Sequence, residues 1–151
     1  MKICQSCYAI HDGKKWFTDE QQWHELHEKH AASILCEACR RMHYKVVHGI
    51  VYLRGNVIRD RREEIIRMIR KEEEIKSKRN HLSRILKINK PEDDQMTVTT
   101  INQWLAIHIG KQFKKAFKGK MEIEHDPSGR RGRGTKGREE VVVRWWQEPA
   151  R

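Results

Sequence analysis

No stretch of this 151-residue chain is apolar for the roughly 18–20 residues that a membrane-spanning helix requires. No apolar segment precedes Cys4 either, so a secretory leader is not expected and the expected compartment is the cytosol. The signatures of common enzymes are missing: there is no G-x-S-x-G, no P-loop, no H-E-x-x-H and no convincing pair of catalytic carboxylates. No internal repeat is visible. These absences favour a protein that binds without catalysing and that takes no small-molecule substrate.

Cysteine is scarce, and all of it falls in two places. Cys4 and Cys7 form one C-x-x-C pair, Cys36 and Cys39 a second, with 28 residues between the pairs. Two intervening residues let both sulfurs of a pair face into one turn, and two such turns supply the four thiolates of a tetrahedral zinc site. The alternatives are two disulfides or four scattered buried thiols, and the use of every cysteine in matched pairs argues against both. A closed Cys4 shell leaves no position for water or substrate, so the zinc would be structural. His24, His27 and His30, spaced i, i+3 and i+6, could in principle form a second metal site or replace one cysteine; an exposed charged helix is the simpler account of them.

The zinc ribbon is expected over 1–48. Asp19 is expected to cap a short helix over 20–32, and Trp16, Phe17 and Trp23 to shield the metal. Residues 49–151 form a second region. Gly49–Gly55 reads as a strand, followed by a helix from Asn56 to about Lys78 with Ile58, Ile65, Met68 and Ile69 on one face. Leu82–Ile88 and Gln95–Thr99 read as two strands joined by a polar turn. Thr100 is expected to cap a helix over 101–118, with Ile101, Leu105, Ile109, Phe113 and Ala116 as its apolar stripe and Gly119 as its stop. Met121–His125 and Glu140–Trp146 alternate like the strands of a final hairpin. This order suits an α+β fold: a ferredoxin-like two-layer sandwich, with two helices on one face of an antiparallel sheet.

Charge is abundant and uneven. Hydrophobic residues make up 37% and charged residues 35%, and the net charge is +11. Residues 1–49 carry seven Lys/Arg against six acids, whereas residues 101–151 carry twelve against six. An excess of that kind selects acidic macromolecules, nucleic acid first. Lys111, Lys114, Lys115 and Lys118 recur on the helix side opposite Leu105, Ile109 and Phe113, a stripe suited to phosphate contact. The segment 128–138 holds Arg130, Arg131, Arg133, Lys136 and Arg138 among four glycines and no acid, a loop that can mould to an RNA backbone. Lysine-rich helix faces also serve solubility alone. Trp145 and Trp146 must point to opposite sides of their strand, one into a core and one outward. Glu122, Glu124 and Asp126 alternate on one strand face, where pairing with Arg144 explains them more simply than magnesium.

The segments ICQSCYAIHDGKKW, LCEACRR, TVTTINQWLAIHIGKQFKKAFKG and VVVRWW resemble a small prokaryotic zinc-ribbon family. That family is itself similar to the N-terminal part of the large-ribosomal-subunit nuclear export adaptor linked to nonsense-mediated decay. The more specific element is the helix start from Thr99 to Gly110. The resemblance implies Cys4, Cys7, Cys36 and Cys39 as metal ligands and extends to contact with ribosomal RNA or the large ribosomal subunit. The adaptor has more C-x-x-C pairs and further domains, so nuclear export is not implied. The expected function is that of a non-catalytic, ribosome-associated RNA-binding factor. A DNA-binding or transcription-regulating zinc protein is the alternative, disfavoured because no helix-turn-helix is visible and the basic helix offers lysines rather than base-reading forks.

Overall fold

A computed structural model describes residues 1–126 and 140–148, with Asp126 described by its backbone alone. The basic loop 128–138 lies outside the described residues. Two sheets organise the chain.

The smaller sheet is built from β1 (Lys2–Cys4), β2 (Ala9–His11), β3 (Trp16–Thr18) and β4 (Ala32–Ile34), in the order β3-β2-β1-β4. β1 and β4 run parallel, which is possible because helix α1 (Glu20–Glu28) carries the chain back between them. Asp19 caps α1 as expected, its Oδ1 accepting from the Gln22 N–H at 3.0 Å. The helix ends at Glu28, short of the expected residue 32, and His30 follows with φ of 59°. Helix α2 (Glu37–His43) was not anticipated: the second cysteine pair opens a helix, not a second β-turn.

The larger sheet contains β5 (Gly49–Arg54), β6 (Ile85–Asn89), β7 (Gln95–Thr100), β8 (Lys120–Asp126) and β9 (Glu140–Trp146), in the order β6-β7-β5-β9-β8. The expected antiparallel sheet is corrected here, because β9 lies parallel to β5, from Gly49 opposite Val141 to Arg54 opposite Trp146. Flanked by β5 and β8, β9 buries Val141, Val142 and Val143 in succession. The sheet is therefore mixed.

Helices α4 (Arg62–Arg79) and α5 (Gln103–Phe117) cover one face of this sheet. Ile65 and Ile69 of α4 and Leu105, Ile109 and Phe113 of α5 meet Val51, Leu53, Met96, Val98, Val143 and Trp145 in one core. The long helix expected from Asn56 is broken: α3 (Asn56–Asp60) ends at Arg61, whose φ and ψ of −126° and 32° leave the helical region. Asn102, not Thr100, caps α5. Its Oδ1 accepts from the Leu105 N–H at 2.9 Å, while the Thr100 hydroxyl donates to the Asn102 carbonyl at 2.6 Å. Close approach of α5 to the sheet depends on glycine at both surfaces. A Cβ on Gly110 would lie 2.4 Å from Val143 Cγ1, and one on Gly49 would lie 2.5 Å from Ala106 Cβ. Trp145 is 1% exposed beneath α5, whereas Trp146 is 38% exposed on the opposite face.

Candidate functional site

The cysteines are positioned by four different local structures. Cys4 ends β1, Cys7 sits in the turn before β2, Cys36 caps α2, and Cys39 lies in the first turn of that helix. The parallel pairing of β1 and β4, with Cys4 opposite Ile34, brings the two pairs together. All four sulfurs lie within 4.8 Å of one another, and Cys7 Sγ is 3.8 Å from Cys36 Sγ. A tetrahedral thiolate shell with metal–sulfur bonds of about 2.3 Å has edges of about 3.8 Å. None of the four is disulfide-bonded. The cluster fits a metal ion.

Backbone amides prepare the sulfurs for negative charge. Ser6 N–H and Cys36 N–H donate to Cys4 Sγ at 3.3 and 3.4 Å, and Cys39 N–H donates to Cys36 Sγ at 3.3 Å. The Cys36 thiol beside it holds Cys7 down at about 4, helped by the Arg84 guanidinium. The same contact raises Cys36, with burial adding to the effect, and burial raises Cys39. The thiolate form is thus favoured at Cys7, which shares the Arg84 guanidinium with Cys39.

That cation was not anticipated. Arg84 precedes β6 and belongs to the larger sheet's connection, yet its Nη1 lies 3.6 Å from Cys39 Sγ and its Nη2 3.8 Å from Cys7 Sγ. Nη2 also lies 3.3 Å from His81 Nδ1, and the His81 ring stacks on Trp16 at 5.9 Å. No sequence signal marks Arg84, because it is 45 positions from Cys39 and is one of 32 Lys/Arg residues. Leu82, Leu86 and Ile101 pack against the same cluster, so side chains of both regions enclose the sulfurs. Trp16 packs there too, and Trp23 Nε1–H donates to the Cys4 carbonyl at 2.9 Å. Phe17 pairs with Ile10 across β2 and β3 and is not among the residues packed on the cluster.

His24, His27 and His30 do not converge. His27 stacks on Trp23 with rings 5.1 Å apart, and His24 faces Tyr8 at 5.5 Å. Among the described residues, the cysteines are the only group of three or more ligating side chains close enough to hold a metal. On β8, Glu124 pairs with Arg144 at 3.0 Å.

Lys111, Lys114 and Lys115 are exposed along the outer side of α5, while Leu105, Ile109 and Phe113 are buried beneath; Lys118, with a φ of 62°, is exposed too but follows the helix, which ends at Phe117. Arg130, Arg131, Arg133, Lys136 and Arg138 lie outside the described residues.

Comparison with protein-family models, curated proteins and solved structures finds no match for this chain. Of the resemblance drawn from the motifs, the structure supports the four-cysteine cluster. What the chain does must be argued from its own surfaces.

Proposed function

We propose that the protein is a non-catalytic RNA-binding factor of the cytoplasm, associated with the ribosome, in which one structural zinc ion is held by Cys4, Cys7, Cys36 and Cys39. The observation carrying this reading is the exposed set Lys111, Lys114 and Lys115 on α5, with Lys118 just after it, no acid on α5 and an apolar underside seated on the sheet. Zinc suits four thiolates in a tetrahedral shell, and four protein ligands leave no open coordination position for chemistry. The larger region is read as a ferredoxin-like sandwich into which β9 has been inserted between β5 and β8. Ribosomal RNA, or the large ribosomal subunit, is the partner that the motif resemblance favours. The loop bearing Arg130, Arg131, Arg133, Lys136 and Arg138 would add contacts to the phosphate backbone.

Filter-binding titrations across a range of salt concentrations test it. Replacing Lys114, Lys115 and Lys118 with Ala should weaken RNA binding and lower the salt slope by up to about 2, at roughly 0.7 per lost contact. Replacing Arg130, Arg131 and Arg133 should do the same. Tagged protein recovered at low salt should carry ribosomal subunits that ribonuclease releases. Unchanged affinity and slope in both triple variants would assign the charge to solubility; preferential recovery of DNA would favour a DNA-binding role.

A further inference from the structure

The larger sheet is packed by helices on one face, and part of its other face carries exposed aromatic and basic side chains. Tyr52 on β5 is 39% exposed and Trp146 on β9 is 38% exposed. Both belong to the face opposite the core, since Val51, Leu53 and Trp145 point inward. The parallel register sets Arg54 beside Trp146 and Tyr52 beside Arg144. The two aromatic residues therefore lie on a diagonal. With strands about 4.8 Å apart and two residues advancing about 6.6 Å, their Cα atoms are ~8 Å apart. A cleft of about 350 Å³ runs between them, lined by Tyr52, Arg54, Arg144, Trp145 and Trp146.

Arg144 and Lys120 on this patch are paired with the acids Glu124 and Glu148, whereas Arg54 is not. Arg54 is exposed and has no ion-pair partner among the described residues. The Arg144 guanidinium sits 5.9 Å from the centre of the Tyr52 ring and is held there by Glu124. Lys120 is in register with Trp146 and pairs with Glu148 at 3.2 Å. The exposed acidic side chains on the face among the described residues of its strands, Glu122 and Glu124, lie on the β8 edge, and Glu140 at the far end of β9 is buried. On the other side of Tyr52, β7 offers Gln95, Thr97 and Thr99, which are polar and uncharged.

We infer that this face binds a single strand of nucleic acid, with two successive bases stacked on Tyr52 and Trp146 and the backbone running past Arg54 toward β7. Unpaired bases present π-faces that aromatic side chains on an open sheet can take up, and the neighbouring guanidiniums supply the counter-charge. A duplex keeps its bases stacked on each other and cannot use the two rings. The site rests on the nucleic-acid reading above but lies on a different surface from the lysine row, and it predicts a strand preference that lysines alone cannot produce.

The probes are a labelled twelve-nucleotide oligouridylate and a duplex RNA of the same length. The intact chain should prefer the single strand, and ultraviolet crosslinking of the oligouridylate should map to Tyr52 or Trp146. Tyr52→Leu and Trp146→Leu keep apolar bulk but remove the ring, and each should weaken single-strand binding roughly 5- to 150-fold. The salt slope should stay unchanged, because no cation is lost. Tyr52→Phe should bind as the parent does. Trp104→Leu, on a residue 61% exposed in α5, should have no effect. Oligouridylate binding that survives both leucine variants, with crosslinks mapping elsewhere, overturns this site and leaves the RNA reading standing. Failure of the intact chain to bind any RNA overturns both. A concentration-dependent dimer in sedimentation, lost in Trp146→Leu, would assign the face to a second copy and overturn the inference. Should Trp146→Leu melt early, Tyr52→Leu and the crosslink on the intact chain still decide it.

Discussion

Arg84 and Cys39 meet across the junction of the two sheets, with the guanidinium Nη1 3.6 Å from the sulfur. The backbone at Arg84 is fixed as well, because its carbonyl accepts from the Ile101 N–H at 3.1 Å. A divalent ion bound by four thiolates carries a residual charge of about −2, and a half-buried arginine beside two of those sulfurs offsets part of it. Burial disfavours the Arg84 charge, but the bond to Cys7 and the field of the other sulfurs more than compensate, so its pKa is raised.

Removing that charge should loosen the metal. Arg84→Gln is expected to lower zinc affinity about 10- to 100-fold, the usual cost of losing a partner to the ligands. Competition against a chromogenic chelator measures it directly. Arg84→Lys should fall between, since a single ammonium cannot span two sulfurs as a planar guanidinium does. Equal affinity in all three proteins would reduce Arg84 to a packing residue.

Metal content follows from the cluster itself. Elemental analysis should give one zinc per chain, and Cys36→Ser, which keeps an oxygen that can cap α2 but removes a thiolate ligand, should release the metal and unfold the smaller sheet. A folded, metal-free smaller sheet would contradict the assignment. A ratio near two would return His24, His27 and His30 to consideration despite their separate ring contacts.

The ligand set was legible in the sequence because C-x-x-C pairs are local signals, and so were the amphipathic faces of α4 and α5. Long-range pairing was not. Glu140–Trp146 reads as a strand from its β-branched run, but nothing local says whether Glu140–Trp146 joins β8 alone or also slides in parallel beside β5. That choice depends on the register of Gly49 through Arg54, some ninety positions earlier. The break at Arg61 carries no local signal, because arginine is an ordinary helix former. The Trp145-Trp146 pair already implies that one ring faces outward, but nothing in the sequence pairs that ring with Tyr52; their shared face does.

His81 should titrate far below an ordinary histidine. Burial, and then the Arg84 charge, hold its pKa near 4 against a usual 6.5. Both folded and unfolded chains are neutral at this site above pH 6.5, so its effect on stability is nil there. As pH falls from 6.5 toward 4, the unfolded chain takes the proton first and stability is lost; below 4 the loss is complete, at most about 3 kcal/mol. The partial exposure of the ring makes the actual figure smaller. His81→Phe keeps the stack on Trp16 and should flatten this part of the pH–stability curve relative to the parent. An imidazole midpoint near 6.5 by NMR would refute the burial argument.

Gly110 tests the seating of α5 on the sheet. Alanine gains up to about 1 kcal/mol of helix propensity over glycine. Its Cβ, however, would meet the buried Val143 Cγ1 at 2.4 Å, and overpacking of that kind costs about 1–3 kcal/mol. The clash should win, so Gly110→Ala lowers the melting temperature by a few degrees. Pairing it with Val143→Ala should recover part of the loss, a coupling that a double-mutant cycle would detect.

The larger region should fold without the smaller one, at a reduced stability that can be anticipated. Its core of Val51, Leu53, Ile65, Ile69, Leu105, Ile109, Phe113, Val143 and Trp145 contains no residue before β5, so a fragment spanning residues 49–151 retains it whole. What the fragment loses is cover. Ile101 is fully buried against the cysteine cluster, and Leu82 and Leu86 are half-buried there. Full burial of one isoleucine contributes about 1.5–3 kcal/mol, so exposing all three removes several kcal/mol. That is comparable with the whole net stability of a small domain, about 5–15 kcal/mol. The fragment is therefore expected to unfold cooperatively but at a clearly lower temperature than the metal-loaded chain. Replacing Leu82, Leu86 and Ile101 with polar residues should help the fragment's solubility and harm the intact chain. Calorimetry on both proteins decides it: a fragment with no cooperative transition would mean that the two sheets share one folding unit and that the boundary near residue 49 has no thermodynamic meaning.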